Sequence, residues 1–174
     1  MTTAQRTIRT RPRNGLAITD VMTSLMVAEL MDPSEELWLV TGWVSDIPVV
    51  ENEGGQFDGL GLNLSGGSLS LADVLVHLLS RGTTVHIAVR DDPHNRQFVE
   101  RVQRRYAGPR LAVYISPDLH EKLMCGHAWL LKGSMNFTWN GVARNEESID
   151  LVVDAVQAAR QRLELHARWR GVGA

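Results

Sequence analysis

The chain has 174 residues, enough for one domain that buries roughly 70% of its surface on folding. Its 44% hydrophobic and 22% charged composition excludes wholesale disorder, and a net charge of −2 excludes a uniformly basic nucleic-acid coat, though not a local basic patch. No apolar run approaches the ~18 residues of a membrane span, and the first thirteen residues are polar rather than signal-like. A single cysteine, Cys125, excludes an internal disulfide framework and fits a reducing compartment, so the expected setting is cytoplasmic with no membrane partner. Lysine is scarce: of 18 basic residues 16 are Arg, and only Lys122 and Lys132 are Lys.

Residues 1–15 carry Arg6, Arg9, Arg11 and Arg13 with no acidic residue, and read as a flexible basic arm ahead of one domain at 16–174. From Ile18 to Met31 the apolar residues follow helical spacing, with Thr19 or Asp20 as candidate N-caps. Asp32-Pro33-Ser34 breaks that helix, and Glu36–Ser45 predicts a buried strand. Residues 51–68 are Gly-rich and weakly patterned, a long loop of the kind that lids a site, contacts a partner or does neither.

Regular alternation resumes at Leu69–Ser80, an amphipathic helix stopped by Arg81-Gly82, followed by a β-branched strand at Thr83–Val89. Pro93 to Tyr106 predicts an Arg-rich helix and Arg110–Ser116 another strand. Two short strands around Glu121–Cys125 and Ala128–Lys132 flank Gly126-His127, a hairpin signal. Ser148–Val153 is the last strand, and Asp154 to about Arg168 the last helix. Strand–helix–strand–helix–strand followed by a hairpin predicts an α/β sandwich with a mixed sheet.

The chemistry concentrates in 119–150. On a strand His120 and Lys122 point the same way while Glu121 points opposite. With Gly126-His127 as the turn, Gly133 falls opposite His120, and Ser134 and Asn136 begin just beyond. An imidazole, an ammonium, a hydroxyl and a carboxamide then converge at one strand end, a donor set suited to a phosphate's oxygens. Two other features admit a plainer reading beside a functional one. Arg101, Arg104 and Arg105 could form a DNA-tracking groove or a solvated helical face, as could Arg160, Arg162, Arg168 and Arg170. Trp139 could stack a base or pack. Trp38, Trp43 and Trp129 fall in strand patterns and read as core. Cys125, His127 and His120 do not make a zinc site, because tetrahedral zinc wants four ligands and no second Cys exists. His77, His86, His94 and His166 fall on scattered elements and read as structural or surface residues.

His120-x-Lys122, Gly133-Ser134-x-Asn136 and Glu147 resemble the HxK…GSxN…E signature of the phospholipase D superfamily, above all its small, single-motif bacterial nucleases. The resemblance runs from Leu37 onward. It departs at His127, where the family's fuller pattern has Asp, and the link to Gly133-Ser134 is one residue short, which reads as a shortened turn. The resemblance implies a phospholipase D-like mixed sheet with helices on both faces and phosphodiester hydrolysis without metal or cofactor. His120 would form a phosphohistidine, and His120 of a second copy would protonate the leaving oxygen. Lys122 and Asn136 would hold the non-bridging oxygens, Ser134 would hydrogen-bond in the site, and Glu147 would orient His120. One motif copy implies a homodimer. The implied substrate is nucleic acid, DNA first, in a setting such as bacterial restriction or defence with other subunits. A binding-only DNA subunit and a phospholipid phosphodiesterase are the rivals.

Overall fold

The computed structural model describes residues 4–9, 17–52, 54–55, 57–60 and 67–170. A seven-stranded mixed sheet carries the domain, in the order β1-β9-β8-β7-β2-β5-β6. β2 (Glu36–Thr41), β5 (Thr84–Arg90) and β6 (Leu111–Ser116) are parallel; β7 (Lys122–Cys125), β8 (Trp129–Gly133), β9 (Ser148–Val153) and β1 (Ala4–Arg9) continue the sheet antiparallel. The period of two along β2 splits its side chains between two cores. Leu37 and Leu39 join the larger one beneath α1 (Ile18–Met31), α2 (Leu71–Arg81) and α3 (Pro93–Arg105). Trp38 and Val40 join the smaller one beneath α5 (Ala155–Trp169). Apolar residues bury both faces of the central strands, so these read as continuous runs rather than alternations.

Several expectations change. Residues 4–9 of the expected flexible arm form β1, paired with β9 from Ala4↔Val153 to Arg9↔Ser148. Ile8 is its one buried side chain, and the arginines beside it suit an outermost strand, where charge discourages further pairing. Residues 1–3 and 10–16 lie outside the described residues. The two ends of the 51–68 loop belong to a separate ribbon of β3 (Pro48–Glu51) and β4 (Ser68–Ser70). Asn52 ties the segment beyond it, accepting from Phe57 N at 2.7 Å and donating to Asp58 Oδ1 at 2.6 Å. Residues 53, 56 and 61–66 are outside the description.

Helix α2 begins two residues later than its apolar pattern, because Ser70 caps it and Leu69 joins β4. Ser70 Oγ accepts from Asp73 N while Asp73 Oδ2 accepts from Ser70 N, a reciprocal capping box. Gly82, at φ 105°, ends the helix in the left-handed conformation that favours glycine. α1 takes Ala17, not Thr19 or Asp20, as its N-cap, and Asp20 reaches back to Ala17 N at 2.9 Å. β2 stops at Thr41 instead of Ser45. The chain then leaves the sheet through Gly42, and Val44 forms a lone parallel bridge with Phe137.

The hairpin register also shifts. Gly126 N bonds Trp129 O, so His127-Ala128 is the turn and Leu123, Met124 and Cys125 face Lys132, Leu131 and Leu130. The displacement from the expected pairing is two residues. Because side-chain direction repeats every two, each residue keeps its face and only its opposite number changes.

Candidate active site

The C-terminal ends of β2 and β8 and the N-terminal ends of β7 and β9 meet at one edge of the sheet. Thr41 pairs with Lys122, and Gly133 pairs with Ile149. Only glycine fits at 133: a Cβ there would lie 2.1 Å from Ser148 O and 2.8 Å from Ile149 Cα. The backbones can thus approach closely, which brings Ser134 against the start of β9. Ser134 N donates to Ser148 O, and Ser148 N donates to Ser134 Oγ at 3.1 Å.

An open cleft of about 670 Å³ lies over this edge, lined by His120, Lys122, Ser134 and Asn136 together with Glu121, Lys132, Asp150, Gln161 and Glu164. Four of the five residues expected in the site therefore share one hollow. The fifth, Glu147, joins through Ser134, whose hydroxyl donates to its carboxylate, and through Asn145 Nδ2 at 3.2 Å from Oε1. The expected hydrogen bond from His120 to Glu147 is not formed among the described residues. Glu147 instead fixes Ser134, and its charge acts on Lys122.

His120 is exposed and lines the cleft, two residues before β7. Lys122 is only 8% exposed, and its ammonium donates to the carbonyl of His120. Burial lowers the Lys122 pKa, and the negative charge of Glu147 opposes that shift in part. Such an ammonium is a poorly hydrated charge that gains from an incoming anion. Asn136 is half-buried, with Oδ1 3.5 Å from Thr41 Oγ1, and its Nδ2 has no partner among the described residues. Gly141 of α4 (Trp139–Ala143), a helix not predicted from the sequence, packs so tightly on Asn136 that a Cβ would fall 2.2 Å from its carbonyl oxygen.

Thr41, Gly42 and Asn95 support the site and were not singled out from the sequence. Gly42 approaches Leu119 O, Asn136 Oδ1 and the His120 backbone. Asn95, fully buried at the start of α3, donates to Gly42 O and Arg90 O and accepts from Val44 N. The signal available was a polar residue on an otherwise apolar helix face.

In fold, the chain is similar to Nuc from Salmonella typhimurium, a phospholipase D family member, at 13% identity and a TM-score of 0.64, with 99% of this chain and 97% of that one covered. It is likewise similar to NucT from Helicobacter pylori (11% identity, TM-score 0.66, 99% of each chain). A third likeness is to phosphatidylserine synthase from Haemophilus influenzae Rd KW20 (14% identity, TM-score 0.61, 95% of this chain and 38% of that one). The fold is that of the phospholipase D superfamily. No protein-family model and no curated protein sequence matches the chain.

On this phospholipase D-like frame the remaining expected residues fall elsewhere. Arg101, Arg104 and Arg105 do not line the cleft; each meets a carboxylate, Asp46 at 2.9 Å, Glu100 at 3.5 Å and Asp73 at 2.6 Å. Trp139 is exposed and lines a smaller hollow on the far side of Asn136. Trp43, expected in the core, lines the same hollow because β2 ends before it. His127, at the position of the family's Asp, sits in the turn, with Nδ1 3.2 Å from Ser34 Oγ. Cys125 is buried and its thiol is pushed up to about 11, chiefly by burial, as suits a small packed side chain.

Among the described residues, Glu36, His86 and His166 are the grouping with metal-ligand chemistry. His86 and His166, expected on unrelated elements, both meet Glu36 Oε1, at 3.2 and 2.5 Å, as does Trp38 Nε1 at 2.6 Å. Burial alone would raise the Glu36 pKa; hydrogen bonds from His86 and Trp38 and the positive charge of His166 and His86 outweigh it and hold the group at about 2. The Arg162 guanidinium lies 3.8 Å from Oε2. The cluster sits at the N-terminal end of β2, about 17 Å along the strand from Thr41.

Proposed function

We propose that the chain is a phosphodiester hydrolase acting on nucleic acid, DNA in the first instance, through a phosphohistidine at a site shared by two copies. The observation that carries this reading is the single cleft holding exposed His120 beside buried Lys122, with Ser134 and Asn136 opposite, on a phospholipase D-like fold. A ring nitrogen of neutral His120 attacks phosphorus, and the P–O bond to the leaving group breaks as the P–N bond forms. The leaving oxygen takes its proton from His120 of the second copy. That same imidazole then removes a proton from water, whose oxygen displaces the phosphohistidine and restores the first ring.

Lys122 Nζ and Asn136 Nδ2 supply the donors for the non-bridging oxygens, and their strength comes from burial of the ammonium. Ser134 and Glu147 hold the end of β8 in place, so their part is positioning. One chain provides one His120 and hence half of the acid–base pair; two copies related by a two-fold axis complete it.

No helix of the described residues is long and apolar enough to cross a membrane. The deciding experiment incubates the protein with labelled single- and double-stranded DNA in EDTA and then traps the intermediate by rapid acid quench. Cleavage that His120→Ala abolishes, with phosphate found on His120, is the expected result. Activity that survives His120→Ala overturns the mechanism, binding without cleavage favours a DNA-binding subunit, and turnover of vesicle phospholipid with DNA inert points to a lipid substrate. Sedimentation at micromolar concentration should give a dimer.

A further inference from the structure

The hollow on the far side of Asn136 has a volume of about 350 Å³ and is lined by Trp43, His94, Trp139, Asn140 and Asn145 with Asn136 itself. We propose that it is a nucleobase subsite, taking one unpaired base next to the phosphate held in the cleft. This inference rests on the nucleic-acid reading above and specifies what the site takes besides a phosphodiester.

Position is the first argument. Asn136 lines both hollows, so a phosphate that meets its amide in the cleft lies beside this hollow, within reach of a neighbouring base. The two hollows are also joined by hydrogen bonds: Asn145 donates to Glu147, which accepts from Ser134. Chemistry is the second. The cleft carries Glu121, Asp150 and Glu164, whereas among the described residues no carboxylate and no ammonium lines the hollow. Two indoles and an imidazole offer flat apolar faces, and carboxamides offer both donors and acceptors, the combination that suits a neutral ring with polar edges. An acyl chain would leave the Asn136 Nδ2 donor, which has no partner among the described residues, unanswered.

Rigidity is the third. Trp43 is 37% exposed and Trp139 53% exposed, yet both stand on braced backbone. Thr41 Oγ1 accepts from Trp43 N and donates to Trp43 O, while Asn95 holds Gly42 and Val44 on either side. The His94 ring leans on Trp43 at 6.0 Å between centroids and has Nε2 2.9 Å from Ser45 Oγ. Thr138 caps the short helix that begins at Trp139, and Ser45 N bonds Phe137 O to link the two segments. A preorganised aromatic wall loses little entropy when a base stacks on it. A base paired within a duplex has both faces covered, so only an unpaired or extruded base can enter.

The test compares two ligands of equal charge, a thymidine 8-mer and an 8-mer of abasic deoxyribose phosphates, binding to His120→Ala protein by fluorescence anisotropy at fixed salt. The base-bearing strand should bind about ten- to a hundredfold more tightly, the range for stacking of a single base. Trp139→Leu in the same background should bring that ratio close to one; Trp139 is a surface residue, so its loss leaves the fold intact. Equal binding of both strands, or a ratio that Trp139→Leu leaves unchanged, overturns the subsite while leaving the hydrolase reading to its own cleavage assay. Failure to bind either strand overturns the nucleic-acid reading and the subsite together.

Discussion

Exchanging Asn95 for aspartate isolates the strut behind the cleft, because the shape is kept and only one hydrogen-bonding group changes. The native amide is fully buried, with Oδ1 2.9 Å from Val44 N and Nδ2 2.8 and 2.9 Å from Gly42 O and Arg90 O. In the Asn95→Asp variant the bond to Val44 survives, while two carbonyl oxygens lose their donor and face an oxygen. Two lost bonds at about 1 kcal/mol each, with the cost of buried carbonyls left unpaired, give a loss of about 3–4 kcal/mol at neutral pH. For a domain of this size that lowers Tm by about 8–14 °C.

The variant carboxyl is desolvated and beside lone pairs, so its folded-state pKa lies above its unfolded value. A protonated carboxyl can donate one of the missing bonds. The sign follows: the folded state holds the proton more tightly, so the deficit shrinks at low pH and grows as pH rises through the folded pKa. Urea melts of wild type and variant at pH 5 and pH 8 measure both quantities. A deficit under 1 kcal/mol, or one that is the same at both pH values, refutes the assigned role of Asn95.

Three further outcomes follow from the same structure. Glu36 is held at about 2 against an ordinary 4.5, so its contribution is present above pH 4.5 and is lost as pH falls toward 2. With its side chain 23% exposed, Glu36→Gln should cost about 2 kcal/mol at pH 7, and chemical melts should show that gap closing in acid. Gly133→Ala should cost at least about 2 kcal/mol and displace Ser134, because the added methyl meets the β9 backbone from both Ser148 and Ile149; a Tm within 2 °C of wild type would count against it. Lys122→Met should leave Tm unchanged or higher, since burial disfavours the ammonium, yet cut hydrolysis by a hundredfold or more; a destabilised but active variant contradicts this.

Much of this architecture is legible along the chain where one local rule acts alone. β9 spans Ser148–Val153 as its alternation predicts, and Asp154 caps the following helix by accepting from Val156 N and Gln157 N. Pro93 opens α3 at N1 behind the Asp92 cap. The spacing of His120, Lys122, Ser134 and Asn136 carries the cleft, because side-chain direction repeats every two residues and the hairpin is displaced by two. That robustness is why a two-residue error in register left the same four residues together.

Long-range pairing is another matter. Nothing in residues 4–9 announces β9 as a partner, since one buried isoleucine among polar residues makes no local pattern. Trp43 looks like core inside an apolar run, and only the end of sheet pairing at Thr41 turns it toward solvent beside Trp139. The arginines of α3 share a helix with Asn95 but not its direction, and carboxylates claim them: Asp46 and Asp73 from elsewhere in the chain for Arg101 and Arg105, and Glu100 of the same helix for Arg104. Lys122, one of only two lysines in the chain and two residues after His120, was legible in composition and spacing alone. The hollow beside Asn136 was decided by tertiary contacts, because it is built from three segments that meet only once the sheet has formed.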